Sequence, residues 1–215
     1  MYRLSPRSTP LFTGKIFCIG FPKTGTTSIG RALRSLSLRV RGAVGRRDSE
    51  AGARFREALS LVPDYDAFQD LPWPLLYREL DAEWPGSKFI LTVRPADSWL
   101  QSVVGHFGGR RPPIRELVFG PGCADPVGHE RQYVERYLGH NEEVREYFAD
   151  RRADFLEMDL TEGHGWDELC PFLDAARPFK RFPHANRRVL AKALKRVTGV
   201  DVRVMLGDGS SRRAV

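Results

Sequence analysis

Lys15 to Ser28 reads KIFCIGFPKTGTTS, and this stretch decides the fold. Its first half, Lys15 to Gly20, is a short apolar run ending in glycine, the pattern of a strand buried on both faces. Its second half runs into Thr26 to Leu36, where Ile29, Leu33 and Leu36 recur at helical spacing. A strand, a tight turn and a helix therefore open the structured part of the chain. Such a turn aims backbone N–H groups and a helix N-terminus at an anion. The spacing from Gly20 to Gly25 fits G-x-x-x-x-G, the outline of a phosphate-binding loop. The next residue departs from that outline. An ATP-binding loop carries lysine there, whereas this chain has Thr26 followed by Thr27, and its lysine, Lys23, lies inside the loop. Read blandly, the same residues are a glycine turn that joins a strand to a helix.

Working outward, Lys88 to Val93 (KFILTV) is the clearest strand, with shorter candidates at Tyr65 to Asp70 and Asp154 to Met158. Helices are expected over Glu50 to Leu61, over Leu75 to Trp84 with a stop at Pro85-Gly86, from near Pro95, over Arg131 to Ala149, over Trp166 to Leu173 and over the basic Arg187 to Val197. Arg39 to Asp48 is basic and glycine-rich and reads as a loop. Gly108 to Gly128 is dense in Gly and Pro and reads as a long loop or lid. Alternating strands and helices imply an α/β fold: a three-layer, P-loop-like domain with a central, mainly parallel sheet flanked by helices. The expected organisation is an irregular lead-in over 1–14, one domain over 15–206 and a loose tail over 207–215.

The chain has 215 residues, enough for one domain with a sizeable core. No apolar run approaches the ~18–20 residues of a membrane span, and no secretory leader is evident. Cys18, Cys123 and Cys170 are three, widely spaced, and form no C-x-x-C pair, which excludes a disulfide framework or a thiolate zinc site and makes a reducing cytoplasm the expected setting. The net charge of +7 asks for an anionic partner without choosing between nucleic acid, anionic lipid and a small phosphorylated ligand.

Phe21 to Thr27 resembles the first loop of the sulfotransferases that use 3′-phosphoadenosine 5′-phosphosulfate (PAPS), whose pattern is Phe/Tyr-Pro-Lys-Ser/Thr-Gly-Thr-Ser/Thr. The resemblance makes a demand elsewhere: after a later strand the family places an arginine, then a serine eight residues on, to bind the ribose 3′-phosphate. Here Arg94 follows KFILTV, and Ser102 lies eight residues later. Arginine suits a phosphate through its planar fork, and Ser98, at half the spacing, is a fallback on the same face. Tyr65 to Val104 is similar to a short bacterial and eukaryotic branch of this family, as are Gly139 to Val144 and Phe182 to Asn186, so the resemblance covers about residues 15–188.

The resemblance implies that Pro22, Lys23, Thr24, Gly25, Thr26, Thr27 and Ser28 hold the 5′-phosphate end of the donor, with Lys23 stabilising the leaving oxygen. Arg94 and Ser102 hold the 3′-phosphate, with Arg187 nearby, and Phe182 forms one wall for adenine. It implies a small acceptor with a hydroxyl or amine and no metal. A general base is needed, and the equivalent of the family's His or Glu is Asp70 in FQDLP. An unperturbed aspartate near ~3.9 is a weak base. Asp70 read blandly caps the following turn by accepting from the Trp73 amide. His106 and His140 are other candidates for the base, and each reads equally as structural. Trp73, Trp99, Tyr77 and Phe107 read as core. Two other classes compete. A P-loop kinase or nucleotide hydrolase is disfavoured by Thr26 in place of the lysine, and a basic nucleic-acid-binding domain by the lack of an aromatic-studded motif. The acceptor and the oligomeric state are not legible.

Overall fold

The computed structural model describes residues 14–44 and 51–185, with backbone alone for 51–54. The lead-in, Asn186, Arg187, the basic helix and the tail lie outside the described residues. Contacts divide the chain into Met1–Phe182 and a second unit from Pro183. The sheet and its flanking helices lie within the first unit.

Five strands form one sheet: β1 (Ile16–Cys18), β2 (Val40–Arg41), β3 (Ala67–Phe68), β4 (Lys88–Val93) and β5 (Phe155–Asp159), in the order β2-β3-β1-β4-β5. Every pairing is parallel, with Phe17 level with Phe68 on one side and Phe89 on the other. The helices are α1 (Thr26–Ser35), α2 (Ala51–Ser60), α3 (Tyr77–Glu83), α4 (Ala96–Phe107), α5 (Pro113–Phe119), α6 (Glu130–Tyr147) and α7 (Trp166–Phe172).

Strand alternation explains the layers. Ile16, Cys18, Ala67, Ile90 and Met158 face α1 and α7, burying Ile29, Leu33, Trp166 and Leu169. Phe17, Ile19, Phe68, Phe89 and Leu91 face the other way, against Leu80 of α3 and Val144 and Phe148 of α6. Each of these fully buried large side chains contributes about 1.5–3 kcal/mol. The expected three-layer α/β arrangement is therefore what the chain adopts. A third apolar cluster, from Phe21, Leu71, Trp99, Ile114, Val118 and Tyr137, covers the carboxyl end of the sheet where α4, α5 and α6 meet.

Two expectations are corrected. The Arg39 to Asp48 stretch is not all loop, because Val40 and Arg41 pair with β3 as an edge strand. Gly108 to Gly128 is not an open lid: it contains α5, and Ile114, Arg115, Val118, Cys123, Ala124 and Asp125 in it are buried. The Tyr65 to Asp70 strand narrows to Ala67–Phe68.

Candidate active site

The chain leaves β1 toward β2 and β3 on one side and then crosses β1 to reach β4 on the other. The sheet order thus reverses between β1 and β4, and the carboxyl ends of strands at such a switch point are where open parallel sheets take their ligands. The loop after β1 and Arg94 after β4 are both there.

Gly20 is required by packing, since a Cβ on it would lie 2.2 Å from Thr92 Oγ1 and 2.4 Å from the Thr92 carbonyl oxygen. Gly25 is required by its backbone, with φ of 113° as the N-cap of α1. A Cβ there would also meet the Leu160 side chain at 2.5 Å. Between these glycines the loop carbonyls turn into the protein. His140 on α6 donates from Nε2 to the Ile19 oxygen at 2.7 Å. Thr24 Oγ1 donates to the Phe21 oxygen at 2.7 Å. Trp99 on α4 donates from Nε1 to the Pro22 oxygen at 3.0 Å. Because the Thr24 proton is committed to Phe21, Thr92 is the donor in the 2.6 Å contact between the Thr24 and Thr92 hydroxyls. The Thr24 side chain thus shapes the loop, and any contribution it makes to a ligand must come from its main chain. With the carbonyls tied inward, the first turn of α1 points amide donors at the switch point, with no acidic residue in it to oppose an anion.

The second arm is built as firmly. The Tyr137 hydroxyl accepts from the Arg94 amide at 2.9 Å and donates to the Arg94 carbonyl at 2.8 Å. Tyr137 stacks on Trp99 with ring centres 4.2 Å apart. One aromatic pair therefore joins the loop at Pro22 to the strand end at Arg94. The Arg94 guanidinium donates from Nε to Ser98 Oγ at 2.8 Å, so the serine one turn into α4 is the one that orients it. Ser102 is half-buried a turn further on.

Lys23 and Asp70 share an unusual backbone. The positive-φ residues other than glycine, among those described, are Lys23 (77°), Ser37 (66°), Asp70 (73°) and Asp174 (49°). Ser37 and Asp174 directly follow the C-caps of α1 and α7, where a left-handed residue is ordinary. Lys23 and Asp70 follow strands instead, at the carboxyl end of the sheet, and a strained backbone of this kind costs on the order of 1–3 kcal/mol. The two sense each other electrostatically. Burial, then repulsion from Arg94, holds the Lys23 ammonium below the ordinary lysine range, and Asp70 opposes the shift. Arg94 and Asp70 thus both lie within electrostatic reach of Lys23. The expected cap is formed differently: the Trp73 amide donates to the Asp70 main-chain carbonyl at 3.2 Å, while Asp70 Oδ1 accepts from the Leu71 amide at 3.0 Å.

The histidines separate. His106 is exposed on α4 with its ring edge-on to Phe107. His140 is 1% exposed, stacks on Phe21 at 4.3 Å and spends its Nε2 proton on Ile19, which makes it a support for the loop and not a base. Burial pushes its pKa down to about 4. The folded state therefore favours neutral imidazole, and the unfolded chain takes up the proton first as pH falls below about 6.5. Stability is complete above that pH and declines between about 6.5 and about 4, by about 3 kcal/mol in all. Thermal melts from pH 7.5 to 4.5 should show this loss, and His140→Gln should flatten that part of the profile.

Phe182 lies against Gly165 and Trp166, its ring centre 5.0 Å from the indole. Arg187 lies outside the described residues. The residues that sequence reasoning missed are Thr92, Trp99, Tyr137 and His140 in their supporting roles. In α6, Tyr133, Tyr137, His140 and Val144 recur at helical spacing, so the sequence marks a buried face whose polar tips need partners.

The loop after β1, the first turn of α1, Lys23 and Arg94 all lie at the switch point of a parallel sheet, an arrangement suited to a small anionic ligand. Residues 15–124 and 112–190 match the sulfotransferase domain family. The chain belongs to that family. It is also 27% identical over 148 residues to "Ava biosynthesis cluster protein M" of Aspergillus versicolor, an alignment covering 58% of this chain and 55% of that protein. The chain thus spans about half the length of this curated relative. Among the described residues, no helix is long and apolar enough to cross a membrane.

Proposed function

We propose that the protein transfers a sulfuryl group from PAPS to a hydroxyl, or an amine, of a small acceptor. The observation that carries the reading is that Arg94 and Asp70 lie within electrostatic reach of Lys23, two of the three on a strained backbone, at the β1/β4 switch point of a sulfotransferase-family chain. The residues present fit a ligand with two separated phosphates. The amides of residues 25–27 with the Thr26, Thr27 and Ser28 side chains would hold the 5′ end, and Arg94 with Ser98 or Ser102 the 3′ end. The Ser28 amide is spent on the Gly25 carbonyl at 2.8 Å. Phe182 remains the proposed wall for adenine, and Arg187 the proposed neighbour of the 3′-phosphate. The donor supplies an activated sulfuryl group with a phosphate as leaving group.

Lys23 sets a positive charge where negative charge develops as the bond to that phosphate lengthens. Its position, fixed by the tied loop, needs little reorganisation. Asp70 accepts the acceptor's proton. The Leu71 amide on Oδ1 orients the carboxylate for this. The three cysteines are buried and unpaired, which supports a reducing, cytoplasmic setting. Isothermal calorimetry tests the donor half of the reading. The protein should bind 3′,5′-phosphoadenosine tightly and ATP-magnesium weakly. Arg94→Ala should cost about 2–4 kcal/mol with 3′,5′-phosphoadenosine and much less with adenosine 5′-monophosphate. Preference for ATP-magnesium would instead favour a kinase or hydrolase.

A further inference from the structure

Residues 108–128 cross from α4 to α6 beside Lys23, and they are organised around a buried cation. Arg115 is 6% exposed. Its Nη1 donates to the carbonyls of Phe107 at 3.3 Å, Arg110 at 2.7 Å and Ala124 at 3.0 Å. One NH2 group has two hydrogens for these three oxygens, so one hydrogen is shared. Both stems of the segment are tied to this one group. Asp125 adds a second tie by accepting from the Gly109 and Val127 amides. Tyr133 on α6 adds a third, donating to the Cys123 carbonyl at 2.8 Å.

Burial of a guanidinium among carbonyls, without a bonded carboxylate, is unfavourable, and burial accordingly holds its pKa below the ordinary arginine value. Its bonds to the three carbonyls offset part of that cost. What arginine adds is a fixed plane under a neighbouring ring. Its guanidinium carbon lies 4.3 Å from the centre of the Phe107 ring, and the same ring lies 6.0 Å from Lys23 Nζ. Gly108 seats the ring's backbone on the end of α4, since a Cβ there would lie 2.7 Å from the Val104 oxygen. Phe107 is held from its carbonyl, from its ring and from the residue that follows it. Partly buried Leu75, Leu100 and Phe119 pack on the same cluster as Phe107, with Leu71, the neighbour of Asp70, in its core.

We propose that Arg115 is a positioning residue that fixes the Phe107 ring as the wall of the acceptor space beside Lys23. The part of the acceptor next to the reacting hydroxyl is therefore apolar or aromatic. This inference rests on Lys23 lying in the transfer site.

Lysine acetylation by sulfosuccinimidyl acetate, followed by peptide mass spectrometry, tests it without a known acceptor. Lys15, whose Nζ donates to Tyr65 at the opposite end of the sheet, is the internal reference. In the wild type, 2-naphthol should slow acetylation of Lys23, and glucose at the same concentration should not. Arg115→Met and Phe107→Ala should each raise the Lys23 rate relative to Lys15 by about fivefold, through local opening alone. Both should abolish protection by 2-naphthol, while Arg115→Lys, a cation without the planar fork, should fall between. An unchanged Lys23 rate, equal acceleration at Lys15, or no protection by 2-naphthol overturns the proposal. Should Arg115→Met fail to fold, Phe107→Ala at its half-buried site decides alone. Slowing by 3′,5′-phosphoadenosine reads the site itself. If the nucleotide protects Lys23 and 2-naphthol does not, the donor site stands and this inference fails. If the nucleotide gives no protection, the donor site fails.

Discussion

Lys23→Met should lower the rate of sulfuryl transfer to 2-naphthol by about 100- to 1000-fold, the usual cost of losing one fixed electrostatic donor. Methionine keeps most of the length of the side chain and removes its charge and its N–H donors. The cost should fall mainly on kcat, because the charge matters most when the leaving phosphate carries its full share. Stability should move the other way or not at all. The folded state already disfavours this ammonium, through burial and then Arg94, so removing it relieves a strain that the fold carries. A stopped assay for transfer paired with a thermal melt separates the two effects. A large loss of stability, or an unchanged rate, would show that Lys23 serves the fold.

Asp70→Asn should lower the same rate by about 100- to 10,000-fold, the range typical of a general base. Affinity for 3′,5′-phosphoadenosine should remain within about twofold, since no donor phosphate needs a carboxylate. Asparagine is a fair probe of charge here. It keeps the Oδ1 acceptor used by the Leu71 amide, and it tolerates the left-handed backbone at φ of 73° as well as aspartate does. The main-chain carbonyl that caps the following turn is untouched. An unchanged rate would falsify the assignment of Asp70 as base and leave exposed His106 as the group to test.

Much of the fold is legible in the sequence for a physical reason: strands buried on both faces announce themselves. KFILTV matches β4 at both ends, and KIFCIG contains β1 with the glycine that meets Thr92. The loop is legible from its glycine spacing, and Arg94 only through the resemblance, which asks for an arginine after a later strand. The edge strand β2 is hidden because two paired residues in a basic, glycine-rich stretch have no periodicity to read. Helix α5 is hidden by Pro112-Pro113, which reads as a breaker although proline at the first helical position is a start signal. Arg115 reads as one of a run of solvated charges, because nothing local marks an arginine that three main-chain carbonyls will surround. The supporting roles of Trp99, Tyr137 and His140 are invisible for a related reason. Their side-chain types fit a core equally well, and only the tertiary fold shows where their single polar atoms end.

The ties on the loop also bear on the order in which the chain can assemble. Thr24 and its partner Thr92 are 68 positions apart, Pro22 and Trp99 are 77, and Ile19 and His140 are 121. Closing such long stretches of chain has an entropic cost that must be met before any of these bonds forms. The residues that name the loop are synthesised well before its last support, which arrives with α6. A nascent or truncated chain ending before residue 140 would carry the whole recognisable motif and lack the group that holds the Ile19 carbonyl. Under the proposed function, competence to hold the donor is therefore a late event, coupled to completion of the domain.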